Sequence, residues 1–342
     1  MPPFAVGGRH VRETAIWEGH QIFTNELTRF GERAGDPRIG ALTSGLRGPI
    51  RVDVRGRDGV GRATVAAALA GEGLVITGAD AAEVAVVVVA EALKPEDRAM
   101  IGPIPTLMVL NKADLAGFGA GGPIAVADRR TAEFQARTGV PTIPMVGLLA
   151  TPMLDEELAA ALRALVAEPA DLTSTDGFLA AEHSVARSVR ERLLERLDLF
   201  GIAHGVLALG QGAEDAALPS ALRRLSQLDR VIAQLAAVGA EVRYRRMESV
   251  LVSLRAMAAG GVPTVAEFLS GDDAVLAAMA AAVDVVAAAG LTVGDDDDPP
   301  AHLQRALHWH RYSRGPVNRL HRRCGADICR GSLRLLRRAD AL

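Results

Sequence analysis

A chain of 342 residues exceeds one small domain and suffices for two, each able to bury its own core. Apolar residues make up 49% and aromatics only 4%, so Ala, Val and Leu must build the interior, a mixture that favours closely packed helices. The net charge of −3 argues against a dedicated nucleic-acid binder; Cys324 and Cys329, a lone pair without histidines at ligand spacing, match neither a metal site nor a disulfide framework and read as reduced thiols of a cytoplasmic protein.

Residues 1–48 read as a helical lead-in. The first ten lack the basic-then-apolar layout of a signal peptide. A helix is expected over 17–33, followed by a connection through Gly35, Pro37, Gly40 and Gly45. From 49 to 150 the pattern changes to short apolar runs at 50–54, 74–77, 84–90, 106–110 and 142–146, alternating with helix-length segments such as 62–70. That alternation predicts a parallel α/β sheet, with Pro144 confining the last strand to an edge or a strand end.

After Pro152 strand signals nearly vanish, and helices are expected over 154–167, 178–199, 217–237, 242–259, 265–289 and 302–338. In the second of these, Leu193, Leu194, Leu197 and Leu199 stand with Arg187, Arg190, Arg192 and Arg196, the mixed apolar and charged character of a helix with one buried stripe. The most apolar run, 274–290, is interrupted by Asp284 and is shorter than the roughly 20 residues that cross a bilayer, so it reads as a buried helix. The expected architecture is an α/β sheet domain at 49–150 followed by an all-helical bundle at 151–342 with a basic C-terminal helix.

Two motifs in the sheet region carry chemistry. The run 50–54 leads into Gly56-Arg57-Asp58-Gly59-Val60-Gly61-Arg62-Ala63-Thr64 and then a helix former. This resembles a Walker A loop, in which a glycine-rich turn and a helix N-terminus gather backbone N–H groups around phosphate oxygens. The phosphate-binding candidates are Gly56, Gly59, Gly61, Arg62, Ala63 and Thr64. Gly56 and Gly61 occupy the two glycine positions, but Arg62 replaces the phosphate-reaching lysine and Ala63 the hydroxyl residue that holds magnesium. Alanine coordinates no metal, and Thr64 is one place late.

Asn111-Lys112-Ala113-Asp114 directly follows the apolar run 106–110 and matches N-K-x-D. Of 38 basic residues only Lys94 and Lys112 are lysines, and one of them falls in the motif's lysine slot. In proteins with this motif the aspartate accepts two hydrogen bonds from the guanine edge, the asparagine braces the loops and the lysine stem covers the base. Gly147, after the run 142–146, stands where GTPases carry a loop whose N–H meets the guanine oxygen. The guanine-binding candidates are therefore Asn111, Lys112, Asp114 and Gly147.

Hydrolysis machinery is harder to find. Only 50 positions separate Gly61 from Asn111, leaving little room for a switch I loop, and Thr77-Gly78-Ala79-Asp80 stands where D-x-x-G belongs. Asp80 and Glu91 are the available substitute acids, with ordinary surface carboxylates as the competing explanation. No catalytic residue is assigned, and nothing visible positions a water or senses a γ-phosphate.

The motifs place 49–150 beside the translation-factor-like P-loop GTPases. The segment 194–259, with Leu197-Asp198-Leu199-Phe200-Gly201-Ile202, Leu222-Arg223-Arg224-Leu225-Ser226-Gln227-Leu228-Asp229 and Arg243-Tyr244-Arg245-Arg246-Met247, resembles the region that follows the GTPase domain in actinobacterial dynamin-like proteins. The resemblance implies a GTP-responsive helical stalk that works through self-association or a related partner GTPase, often peripherally at membranes. Room is lacking for a full dynamin's long paired helices and lipid-inserting paddle.

From Ala301 onward ten arginines face only Asp327 and Asp340, with Leu303, Leu307, Leu320, Ile328, Leu333, Leu335 and Leu336 interleaved. A docked helix with a solvated or internally paired face, a protein or membrane partner, and nucleic acid are the three readings, in descending order. The expected function is a guanine-nucleotide-binding regulatory subunit, with GTP or GDP as cofactor and no residue suited to hold magnesium, acting through partner association of its helical region. The alternatives are a slow genuine GTPase of the dynamin-like group and a scaffold that binds no nucleotide.

Overall fold

A computed structural model of the chain describes residues 18–117 and 119–339; the segment 1–10 read for a leader, Trp17 and Asp340 lie outside them. The described residues form a mixed α/β region with parallel strands, followed by a largely helical C-terminal region. They divide into two compact units, one of residues 51–234 and one joining the described residues up to Ile50 with 235–339.

Two helices open the described chain, α1 (Glu18–Ala34) and α2 (Pro37–Arg47). Asp36 caps α2 by accepting the Arg38 N–H at 2.9 Å, with Pro37 at the first helical position, where its missing N–H costs nothing. β1 (Arg51–Gly56) then leads through the glycine turn into α3 (Arg62–Gly71), followed by β2 (Val75–Ile76), β3 (Val84–Ala90), α4 (Pro95–Ala99), β4 (Thr106–Asn111), α5 (Gly122–Thr138) and β5 (Thr142–Pro144).

The strand order is β2-β1-β3-β4-β5 with every pairing parallel. β3, Val-Ala-Val-Val-Val-Val-Ala, is buried along all but its last residue, as a strand covered on both faces requires. β5 lies at the edge and stops at Pro144, two residues short of the apolar run; the next available donor, Met145 N–H, bonds Leu110 O at 2.8 Å.

Four helices complete this unit: α6 (Glu156–Ala167), α7 (Thr175–Ala180), α8 (Arg187–Gly210) and α9 (Leu218–Ser226). Leu158, Leu162, Leu193, Leu197 and Leu222 share one core with Val87, Val89, Met108 and Leu110 of the sheet. Residue 150 therefore lies inside a compact unit and not at its edge: the first helices after the sheet bury their apolar faces against it. The helix expected at 178–199 is also displaced. The chain leaves the helix after Ala180, and buried Arg190 returns to donate to the carbonyls of Phe178 and Ala181.

α10 (Leu228–Ala259) follows Gln227, whose φ of 63° ends α9, and it contains the division between the units. The sequence leaves 238–241 outside any helix, whereas α10 runs through them, and Gly239 on it lets Ile50 approach closely. A Cβ there would lie 2.6 Å from Ile50 Cδ1. α11 (Pro263–Ser270), α12 (Asp272–Ala288), α13 (Pro299–Arg314) and α14 (Arg319–Ala339) follow. The single helices expected over 265–289 and 302–338 are each split, at Gly271 and at Gly315-Pro316, where proline disfavours helical backbone in the residue before it.

The core of this second unit joins Phe23 and Leu27 of α1 to Tyr244 and Met247 of α10, Ala277 and Ala281 of α12, Trp309 and Ile328. Alanine-rich surfaces permit very close approach: a Cβ on Gly19 would overlap the backbone of Ala280. Asp272, at the start of α12, receives Arg334 at 3.1 Å and both Arg337 and Arg338 at 2.9 Å from α14. Arg323 pairs with Glu248, Arg330 with Asp327, and buried Arg305 donates to Gly294 O, Asp296 O and Ser332 Oγ. Arg311, Arg314, Arg319 and Arg322 are exposed and hold no ion pair among the described residues. No helix among the described residues is long and apolar enough to cross a membrane.

Candidate functional site

The ends of β1, β4 and β5 point their following loops to one side of the sheet, the usual consequence of parallel strands joined by crossover helices. Three loops meet there. Asn111, the last residue of β4, is buried, and its side chain joins the other two: Nδ2 donates to Val60 O and Oδ1 accepts the Gly147 N–H, both at 2.9 Å. The backbone adds Ala113 N–H to Met145 O at 3.1 Å and Val146 N–H to Ser226 O at 3.0 Å.

Two glycines make this bridge possible. Gly61 has φ of 84°, and a Cβ on it would overlap Asn111 Nδ2; a Cβ on Gly147 would come within 2.9 Å of Asn111 Oδ1. Both are explained by the room Asn111 occupies. Gly147 also departs from expectation, since its N–H is engaged by Asn111 and is not free for a ligand.

A cleft of about 190 Å³ opens beside the bridge. Gly61 and Thr64 line it from the glycine turn and α3. Asn111, Lys112, Asp114 and Leu115 line it from the loop after β4, Val146, Gly147 and Leu148 from the loop after β5, and Asp198 from α8. The volume lies below the roughly 300–1,000 Å³ of pockets that enclose whole drug-sized ligands, and suits a group the size of a nucleobase. Lys112 is exposed with φ of 56°, which turns the chain into a 3-10 helix over Ala113–Leu115 and brings Asp114 to the wall. Leu115 is 59% and Leu148 37% exposed, offering apolar surface at the rim.

Burial holds the Asp114 carboxyl above its ordinary range. Its own backbone N–H opposes the shift, the charge of Asp198 adds to it and Lys112 offsets part of it. A carboxylate so placed gains from donors that reach it and loses when the cleft is empty.

The phosphate candidates are distributed differently. Of the six, only Gly61 and Thr64 line the cleft. Gly56 is the last residue of β1, where a Cβ would meet Val88 O at 2.8 Å, so close packing of strands explains it. Gly59 has φ of 80° with nothing near a Cβ. Arg62 and Ala63 are exposed on the first turn of α3, Arg62 without an ion pair among the described residues. Gly61 caps this helix without any side-chain hydrogen bond, leaving its first amides open.

The glycine turn is anchored by a pair that the sequence did not reveal: Arg57 donates to Asp97 at 2.7 and 3.3 Å, and Asp97 is fully buried while also accepting the Lys94 N–H. Asp80 and Glu91 are exposed and stand outside the cleft. Among the described residues no three His, Cys, Asp or Glu side chains converge as metal ligands. The donor set at Ala63 does not fit magnesium, whereas Asp114 and the open amides suit a base and an anion. Comparison of the chain with protein-family models, with curated proteins and with solved structures finds no match.

Proposed function

We propose that residues 51–234 form a guanine-nucleotide-binding regulatory unit, reading GDP or GTP mainly through the base, and that the protein acts through association with a partner or a second copy of itself. One observation carries the reading: Asn111 bridges Val60 and Gly147 while Asp114, three residues on, faces a base-sized cleft. That arrangement matches the division of labour of N-K-x-D residue by residue. Asp114 accepts the ring N–H and the exocyclic amino group of guanine, donors that adenine lacks at those positions. The Lys112 stem and the exposed rim of Leu115 and Leu148 cover the ring, and the Leu148 N–H meets its oxygen. The first amides of α3 meet the nearest phosphate. GTP supplies a γ-phosphate when bound, but this chain's residues neither hold magnesium at Ala63 nor place a base for water, so hydrolysis is slow.

Calorimetric titration of the full chain with GDP, GTP and ATP, with and without magnesium, tests the reading. Guanine nucleotides should bind in preference to ATP and with little dependence on magnesium. Equal affinity for ATP and GTP would remove the assignment, and sustained turnover near 1 per second, about the low end of ordinary enzyme rates, would reveal a catalytic group outside the residues named above. For the association arm, sizing of the full chain with and without GTP should show a nucleotide-dependent assembly state, provided the two states differ in nucleotide affinity.

One observation favours the scaffold as the second reading. The Asn111 bridge is complete without any ligand, and four of the six phosphate candidates stand outside the cleft. A flat titration with every nucleotide would select it.

A further inference from the structure

The cleft contains a second carboxylate that lies outside the N-K-x-D motif. Asp198 interrupts α8 with φ of 55° and ψ of 174°, a backbone state open mainly to glycine and one that persists only where surrounding structure enforces it. On one side of it Leu197 is buried in the core shared with the sheet. A regular helix would carry the chain past the cleft, whereas the break sets Asp198 on the cleft wall with Asp114. Its Oδ1 accepts the Leu199 N–H at 2.7 Å, which fixes the carboxylate and leaves Oδ2 for a further donor.

We propose that Asp198 is a specificity-determining residue of the cleft, selecting bases that carry an exocyclic amino group next to the ring N–H; the proposal rests on the guanine reading above. The chemistry follows from counting donors. The edge of guanine presents one ring N–H and an amino group with two hydrogens. Asp114, accepting with both oxygens, satisfies the ring N–H and one amino hydrogen. The remaining amino hydrogen then lies in a half-buried cleft, where an unmet donor is costly, and Asp198 supplies its acceptor. Hypoxanthine has the same ring N–H and the same oxygen without the amino group, and it leaves Asp198 unmet. Adenine offers neither the ring N–H nor the 2-amino group.

Electrostatics point the same way. The charge of Asp198 disfavours ionisation of Asp114 beyond what burial does, while the Asp114 backbone N–H and Lys112 offset part of the shift. A ligand edge with three N–H bonds compensates both charges, and one with fewer does not. The helix break at Asp198 thus adds a second reader to the first.

The test compares GDP with inosine diphosphate on the full chain and on its D198N and D198G variants, by calorimetry across pH with thermal unfolding alongside. D198N removes the charge at constant shape. D198G removes the carboxylate in a residue suited to the backbone, and should unfold no lower than the parent. Both variants should lose about tenfold in GDP affinity, the scale of a charge-assisted hydrogen bond, while inosine diphosphate affinity stays within about twofold or improves. D198N should also carry GDP binding to lower pH, because Asp114 ionises more readily without its neighbour; a merely structural role for Asp198 would not move that limb. Equal losses on both nucleotides, or no loss on GDP, would overturn the proposal while leaving the guanine reading intact. Failure of the parent protein to bind GDP would remove the guanine reading and this one with it.

Discussion

The loops after β4 and β5 and the glycine turn after β1 meet around one cleft but are built in different ways. Around Asn111 every exchanged group has a partner: its side chain bonds two loops, and three backbone amides cross between neighbouring segments. At the start of α3 the opposite holds. Arg62, Ala63 and Thr64 are exposed, the cap has no side-chain hydrogen bond, and the main anchor of the turn, Arg57 on Asp97, lies on the far end from the cleft. Buried polar groups carry a high penalty when broken and exposed ones very little. The base side of the cleft is therefore a structural joint as well as a binding surface, whereas the phosphate side is free to vary.

The largest expected effect tests the joint. Asn111→Ala removes two buried hydrogen bonds and leaves Val60 O and Gly147 N–H unmet, so denaturant unfolding should show a loss of about 3 kcal/mol. A loss below about 1 kcal/mol would mean the loops hold together without it. Next, Gly61→Ala meets both a left-handed backbone and the Asn111 amide, and should cost about 2–3 kcal/mol. Gly59→Ala, left-handed but open, should cost only the backbone term of about 1–2 kcal/mol. Equal costs at the two glycines would erase the contrast.

A separate set of effects concerns the ligand and is read in binding, not in stability. Asp114→Ala should weaken guanine nucleotide binding by about 1.5–3 kcal/mol, the range for a hydrogen bond to a charged group, without changing ATP binding; an unchanged GDP titration would contradict the assignment. The raised pKa of Asp114 sets a sign for pH. The base needs the carboxylate, so GDP affinity should decline as pH falls, starting above the ordinary aspartate range and not within it. A profile flat down to pH 4 would disagree. The smallest change belongs to the exposed side: Arg62→Ala should alter stability by less than about 0.5 kcal/mol, and a larger loss would place Arg62 in a contact that its exposure does not reveal.

Much of the sheet is legible in the sequence, because runs such as 84–90 and 106–110 are long, apolar and bounded by turn residues, and parallel strands need just that. The Asn111 motif was legible as well, since it pairs unusual residue types at fixed spacing. Other features depend on distant partners. The role of Gly147 as space for Asn111 is a contact across 36 positions, and the Arg57–Asp97 pair spans 40. The compact unit of 51–234 runs past the end of the strand signals near 150 because amphipathic helices carry no mark of which apolar surface they cover, and those at 156–226 cover the sheet. Asp198 reads as an ordinary polar residue between leucines; nothing local announces a left-handed break. The split at Gly315-Pro316, by contrast, was written in the sequence and was outweighed by the apolar periodicity on either side.

The arginines of the C-terminal helices have a consequence for the behaviour of the chain in salt. Three of them converge on Asp272, two pair with Glu248 and Asp327, and Arg305 is buried against carbonyls and a hydroxyl. Only Arg311, Arg314, Arg319 and Arg322 stand exposed without an ion pair among the described residues, gathered where α13 turns into α14. A polyanion meeting this region would therefore displace ions from about four positive charges and not ten, and the logarithm of its binding constant would fall with the logarithm of salt at a slope no steeper than about −4.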